Sequence, residues 1–179
     1  IEVLGVEPSQ KLKKVAKEKY NINVITKFFN KNIDIDKKFN LIILSHIVEH
    51  LMYPVEFIKS LRKNLSQNDF VFIEVPTISE FTKDCMFHIS FEHVNYFNLN
   101  SLKNLMILNG FELQNKIIFK NQSNCAPDYP TLGTIWKKKN IFSHKIQFAS
   151  TDHLQNYIFE LNNYKKQIGT KIEKIKNRN

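Results

Sequence analysis

The strongest constraint on the fold is a short apolar run at residues 41–44 that leads directly into a polar cluster. An apolar run of this length is typical of a parallel strand that is covered on both faces. In open α/β sheets, ligands bind outside the carboxyl ends of such strands. The sequence therefore predicts a ligand site at Ser45, His46, Glu49 and His50, on the turn and first helical turn after the strand.

The composition fits one globular domain. The chain has 179 residues, of which 42% are hydrophobic, and this is enough for a single sizeable core. It has no apolar run of membrane-spanning length and no signal peptide, so we expect no membrane partner. The chain begins with Ile1 rather than Met, inside an apolar run, which indicates a piece of a longer protein.

The net charge of +9 does not by itself indicate a nucleic-acid partner, and we expect none. Many lysines fall in helical or terminal segments, such as residues 11–19 and 165–176, and no RNA-binding pattern of aromatic and basic residues accompanies them. A solvated basic surface explains the charge. Cys85 and Cys125 form no CxxC pair, so reduced thiols in a cytoplasmic protein are the simplest interpretation.

Strand patterns and helix patterns alternate along the chain. Pro54 suits a first helical position, Asn98 or Asn100 can cap a later helix, and Gly110 can stop that helix. The predicted strands are residues 1–9, 23–29, 39–44, 70–76, 111–120 and 131–139, and the predicted helices are residues 10–20, 54–65, 98–109 and 150–179. The inward positions of the first three helices are Leu12, Val15, Ala16, Val55, Ile58, Leu61, Leu65, Leu102, Leu105 and Met106.

This alternation, followed by a pair of strands, predicts an open α/β sheet that is mostly parallel with an antiparallel edge.

Four segments of the chain resemble segments of the class I S-adenosylmethionine-dependent methyltransferases. GVEPS (residues 5–9) is similar to the family's second strand, FNLIILSHIVEHLMYP (39–54) to its fourth strand and turn, FVFIEVP (70–76) to its fifth strand, and FEHVNYFNLNSLKNLMILNGFEL (91–113) to the segment that carries substrate chemistry. The resemblance covers roughly three quarters of the chain, and the combination is more specific than any one segment. It implies a Rossmann-like fold.

The subgroup that the chain resembles most is the sugar C-methyltransferases and their relatives, which act on nucleotide-linked sugars. The resemblance implies methyl transfer from S-adenosylmethionine to a small polar metabolite. It also implies that the pair Glu92-His93 supplies the catalytic base. The family often has a tyrosine shortly before this pair, where the chain has Ser90 and Phe91, and this leaves carbon and oxygen acceptors both open.

The same resemblance implies a first strand and a glycine-rich loop ahead of Glu2. The chain contains four glycines and no such loop. Since that strand lies mid-sheet in the family, between the second and fourth strands, a fold without it exposes two hydrogen-bonding edges. We therefore expect residues 1–140 to form a partial cofactor-binding domain. Residues 141–179 would be a helical extension or a linker to a missing domain.

The expected chemistry centres on His93. Methyl transfer requires an aligned acceptor and removal of its proton, and a histidine suits the proton step because its ordinary pKa is about 6.5. His93 would deprotonate a hydroxyl or a carbon beside a ketone, and Tyr96 or His88 would stabilise the resulting enolate. The alternative is that Glu92 and His93 form a surface pair and that Tyr96 packs in the core.

On the cofactor side, the resemblance gives Glu7 the role of accepting the ribose hydroxyls. The alternative is a solvated strand end. Phe28 or Phe29 would pack either on adenine or in the core. The expected cofactor-binding residues are Glu7, Pro8, Phe29, Ser45 and His46.

Two other interpretations remain open. Residues 46–50 spell HxxEH, the inverted zinc-protease motif, which places two histidines on one helical face. Pro54 leaves room only for a short helix, and Glu74 or Glu92 would have to be the third ligand, so we expect no metal. A non-catalytic methyltransferase-like partner would fit the absent glycine loop, whereas the retained Glu7 and Glu92-His93 favour an enzyme.

Overall fold

A computed structural model describes residues 1–28, 35–78, 91–119, 130–140 and 142, together with residues 166, 170 and 173. Its strands and helices agree in type and order with the sequence prediction, and two short 3₁₀ turns interrupt them. The elements are β1 (Leu4–Val6), α1 (Gln10–Tyr20), β2 (Asn23–Ile25), β3 (Phe39–Ser45), a 3₁₀ turn (Val48–His50), α2 (Pro54–Leu61), a second 3₁₀ turn (Arg62–Asn64), β4 (Leu65–Pro76), α3 (Leu99–Ile107), β5 (Phe111–Phe119) and β6 (Thr131–Lys138).

The strands form two sheets. β1 and β2 pair in parallel, and the other four strands lie in the order β3, β4, β6, β5. β3 and β4 are parallel, whereas β6 is antiparallel to both of its neighbours, which confirms the predicted antiparallel pair at the edge. Among the described residues, β1 and β3 each end a sheet. These are the two edges that the predicted mid-sheet strand would join.

The apolar core belongs to the four-stranded sheet. All of its fully buried residues in the described ranges lie between Leu44 and Trp136, and α2 and α3 contribute most of the helical ones. The predicted inward positions Leu102, Leu105 and Met106 are buried, as expected. β1, α1 and β2 contribute no buried apolar residue.

Three of the predicted inward positions are exposed, and a fourth is buried but lies in a strand rather than in the helix. Leu12 and Val15 on α1 are exposed, since the described residues place no core against this helix. Val55 is also exposed, because α2 turns Phe57, rather than Val55, inward with Ile58 and Leu61. The helix ends at Leu61 and the chain tightens into a 3₁₀ turn, so the buried Leu65 is the first residue of β4.

β3 is covered on one face only. Ile42 and Leu44 pack with the core, whereas Leu41 is 51% and Ile43 is 63% exposed. Side chains alternate between the two faces of a strand, and no described element buries the second face. The expectation of a strand covered on both faces is therefore wrong for the described part of the chain.

Some predictions fall largely outside the described residues. The predicted helix at residues 150–179 is described only at positions 166, 170 and 173, which are helical. The predicted second strand ends at Ile25, earlier than expected. Within the described ranges, no helix has the length and apolar character needed to cross a membrane.

Candidate active site

The carboxyl ends of β3 and β4 meet at Glu74, which lies beside Ser45 in the sheet register. Ser45 Oγ donates to Glu74 Oε2 at 2.7 Å, and Thr131 Oγ1 donates to Glu74 Oε1 at 3.2 Å. Both carboxylate oxygens are thus engaged by hydroxyl groups. Glu74, which the zinc interpretation considered as a ligand, instead orients Ser45 at the end of the strand.

The backbone of His46 has a left-handed conformation, with φ of 52°. Its N–H donates to the carbonyl oxygen of Glu74 at 3.0 Å, and its Nδ1 lies 3.2 Å from Glu49 Oε1. The hydrogen bond to the Glu49 carboxylate raises the pKa of His46. A non-glycine residue in this conformation is strained, and such strain clusters at functional sites.

Glu49 lies at the centre of the site and is 1% exposed. Oε1 of its carboxylate contacts His46 and lies 3.8 Å from His50 Nε2. Its backbone carbonyl accepts hydrogen bonds from the N–H groups of Val94 and Asn95, each at 2.9 Å. Residues 48–50 form a 3₁₀ turn rather than an α-helix. The prediction that His46 and His50 lie on one face of a helix is therefore wrong.

The segment at residues 91–97 folds back onto this 3₁₀ turn. Besides the two bonds to Glu49, Asn95 Nδ2 donates to the carbonyl oxygen of Leu51 at 2.6 Å, and His50 Nδ1 donates to the carbonyl oxygen of Glu92 at 2.8 Å. In the described part of the chain, the loops that follow β3 and β4 are therefore joined by several hydrogen bonds. They place His93 against His50, with ring centroids 4.9 Å apart.

The three predicted catalytic residues differ in their surroundings. His93 is partly buried, and burial lowers its pKa. The Tyr96 ring centroid lies 6.1 Å from that of His93, and Tyr96 is 37% exposed rather than in the core. The side chain of Glu92 points to an exposed position. The structure thus brings His93 and Tyr96 together, and His88 lies outside the described residues.

The predicted cofactor residues lie at the ends of β1 and β3. Glu7 is partly buried, its N–H donates to the Ile25 carbonyl oxygen at 3.1 Å, and its Oε1 accepts from Ser9 N at 2.8 Å. Pro8 beside it is also partly buried. Glu7 therefore holds the turn into α1, whose N-cap is Ser9. A carboxylate in this place also suits ribose hydroxyls.

Two further residues bear on the cofactor side. Thr26, directly after β2, has a buried hydroxyl oxygen with no hydrogen-bond partner in the described part of the chain. Sequence reasoning missed it, because a single threonine after a strand carries no pattern. Phe28 is 76% exposed, so it does not pack in the core, and Phe29 lies outside the described residues.

A family model described as a methyltransferase domain matches residues 1–116. The chain belongs to this methyltransferase domain family. The match confirms the predicted enzyme class, a methyltransferase. The predicted Rossmann-like fold is confirmed by solved structures. No curated protein matches the chain in sequence.

Solved structures share the fold at low identity. The S-adenosylmethionine-dependent methyltransferase from Methanosarcina mazei has a TM-score of 0.62 and 11% identity, and the match covers 77% of this chain and 82% of that one. The N-methyltransferase NodS from Bradyrhizobium japonicum, in complex with S-adenosyl-L-homocysteine, has a TM-score of 0.58 and 10% identity, with 76% and 66% covered. A third is the 1,6-didemethyltoxoflavin-N1-methyltransferase from Burkholderia thailandensis, with a TM-score of 0.57, 11% identity, and 78% and 62% covered.

Proposed function

We propose that this methyltransferase acts on a small polar metabolite, such as a nucleotide-linked sugar, and methylates it at carbon or oxygen. The observation that carries the proposal is the junction of the two loops after β3 and β4, which places His93 and Tyr96 beside Glu49 and His50. Ligands of open α/β sheets bind at this end of the strands. The Burkholderia neighbour holds 1,6-didemethyltoxoflavin and S-adenosylhomocysteine, which supports a small acceptor.

The residues on the cofactor side fit S-adenosylmethionine. Glu7 offers a carboxylate at the end of β1, and the orphaned hydroxyl of Thr26 offers a hydrogen-bonding group at the end of β2. Ser45 and His46 would face the sulfonium end from the carboxyl end of β3. When bound, the cofactor supplies an activated methyl group, and the protein aligns the acceptor with it.

We assign the acceptor's proton to His93. Burial lowers the pKa of His93, so the imidazole is neutral near pH 7 and able to accept a proton. Tyr96, on the same loop, would donate a hydrogen bond to an enolate or alkoxide oxygen as charge develops there. Glu92 would support the position of His50 through its backbone carbonyl.

The test of the acceptor uses the full-length protein with S-adenosylmethionine labelled in its methyl group. A panel of nucleotide-linked sugars, with and without a ketone, is compared with RNA, DNA and a protein mixture. Label should enter at least one sugar nucleotide. Transfer to a nucleic acid or protein alone would contradict the proposed acceptor class.

The test of His93 separates chemistry from cofactor binding. His93→Ala should lower turnover by about 10²–10⁴-fold, the range that general acid–base groups contribute. Its affinity for S-adenosylhomocysteine should stay within a few-fold. His153→Ala, at a histidine of the C-terminal extension, is the matched control. Unchanged turnover in His93→Ala would remove His93 from the mechanism.

A further inference from the structure

We propose that Glu49, His50 and His93 bind a divalent cation of the zinc class at the acceptor side of this site. Each of these residues offers one ligand atom, and the three atoms lie within 4.8 Å of one another. The ligand atoms of a tetrahedral zinc ion are roughly 3.4 Å apart, given the usual metal–ligand distances. The side chains of His50 and His93 are partly exposed and would rotate to close this difference on binding.

Two buried polar atoms in this cluster lack partners. Glu49 Oε2 and His93 Nδ1 are both inaccessible to solvent, and neither has a hydrogen-bond partner within the described ranges. A buried carboxylate is costly unless it is paired or coordinates a metal, and a buried ring nitrogen without a partner is costly as well. Since Glu49 is 1% exposed, bulk water cannot solvate its carboxylate. A cation held by both residues removes both deficits.

The hydrogen bond of His50 makes the same point independently. Its Nδ1 faces the carbonyl oxygen of Glu92 at 2.8 Å, and a carbonyl can only accept, so Nδ1 carries the proton. In the neutral ring, Nε2 is then a lone pair that lies 3.8 Å from a carboxylate oxygen of Glu49. In this tautomer, a cation between the two electron-rich atoms would be attracted to both. Metal-binding histidines usually donate their second ring N–H to a carboxylate, a backbone carbonyl or water, and the bond from His50 to Glu92 is one of these arrangements.

The ligand set indicates which cations fit. Two imidazoles and one carboxylate suit Zn²⁺ and similar transition-metal ions, whereas Mg²⁺ and Ca²⁺ prefer oxygen ligands. Three protein ligands leave a fourth position open, as in catalytic rather than structural zinc sites. His46 is the positioning residue, because its hydrogen bond to Glu49 Oε1 fixes the carboxylate.

A cation here deepens the proposed function, on which this step rests. The open position would be available to the acceptor, which is proposed to bind beside His93. A cation lowers the pKa of a hydroxyl group that reaches it. In the cation-bound form His93 would be a ligand rather than the base, because its second ring nitrogen carries the ring proton, and the acceptor's proton would pass to solvent.

The experiment measures binding without cofactor or acceptor, so it is independent of turnover. The full-length protein is dialysed against a chelator and titrated with ZnCl₂ by calorimetry. Co²⁺ is added in parallel, because its visible spectrum reports four-coordinate geometry. One equivalent of Zn²⁺ should bind, and Co²⁺ should give the four-coordinate spectrum.

The variants identify the ligands. Glu49→Gln and His50→Ala should each weaken Zn²⁺ binding at least tenfold and abolish the Co²⁺ spectrum, whereas His153→Ala should change neither. Because Glu49 is buried, circular dichroism checks the fold of its variant, and the partly exposed His50 gives a second variant that is less prone to unfold.

The outcomes separate the two proposals. No Zn²⁺ binding by the folded protein, or equal binding by His50→Ala and the control, would overturn the cation site, even if methyl transfer is found. Zn²⁺ binding that is lost in both variants supports the site, even if no sugar nucleotide is methylated, in which case only the proposed acceptor fails.

Discussion

At the scale of single residues, the left-handed backbone of His46 has a measurable consequence. His46→Val should be less stable than His46→Asn by about 1–2 kcal/mol, because asparagine tolerates this conformation and a β-branched residue does not. Both variants lose the imidazole, so their difference isolates the backbone. Urea unfolding monitored by circular dichroism gives the two free energies. Equal stability would show that the φ of 52° carries no cost.

Glu7 has two possible roles that one substitution separates. Glu7→Gln keeps an oxygen that can accept from Ser9 N but removes the charge, so the turn should survive. Hydrogen bonds to a charged group contribute about 1.5–3 kcal/mol, so the affinity for S-adenosylhomocysteine should fall about tenfold or more. Calorimetric titration of the full-length protein measures this, with Glu18→Gln on the exposed side of α1 as the control. Unchanged affinity would leave Glu7 with the turn alone.

At the scale of elements, the start of α3 shows how structure decides between sequence alternatives. The sequence allowed Asn98 or Asn100 as the cap, and the side chain of Asn98 accepts from Ser101 N at 2.8 Å while Ser101 Oγ accepts from Asn98 N. Asn98→Ala should therefore lower the free energy of unfolding by about 1 kcal/mol. Asn100→Ala, inside the helix, should change it by less than about 0.5 kcal/mol. Urea unfolding of both variants tests this, and the reverse order would assign the cap to Asn100.

Local patterns predicted the elements well and their surroundings poorly. The bounds of α1 and the inward face of α3 follow from spacing and caps, which lie within a few residues of each other. The exposure of Ile43 and the place of Leu65 depend on what packs nearby, which spacing does not record.

For the candidate site, the sequence likewise predicted the location but not the contacts between its residues. Its location after β3 followed from one short apolar run that ends in polar residues. The approach of His93 to His50 did not, since it depends on hydrogen bonds from backbone N–H groups to the carbonyl of Glu49. Any sequence can supply those groups, so they leave no signature. The resemblance to methyltransferases named His93 but gave no reason to place it beside Glu49.

At the scale of the whole molecule, stability is unevenly distributed. Every buried apolar residue of the described ranges lies from Leu44 onward, so β1, α1 and β2 share none of the main core. β1 and β2 pair over three residues each. Two short strands with little buried apolar surface open at a lower free energy than core strands. Glu7 and Thr26 directly follow β1 and β2. The cofactor side of the site therefore opens at a lower free energy than the side formed by β3 and β4.

This distribution predicts a pattern of amide hydrogen exchange in the 179-residue chain. Amides of Leu4–Val6 and Asn23–Ile25 should exchange through local opening, well before those of β4 and β6, which exchange only near global unfolding. Mass spectrometry of peptides from the two regions compares them under one set of conditions. In the full-length protein, S-adenosylhomocysteine should protect the same N-terminal peptides more than those of β6, since ligand binding stabilises the residues that it orders. Equal protection of both regions without ligand would mean that β1 and β2 are anchored by contacts beyond their own short pairing, and the cofactor side would then be as rigid as the core.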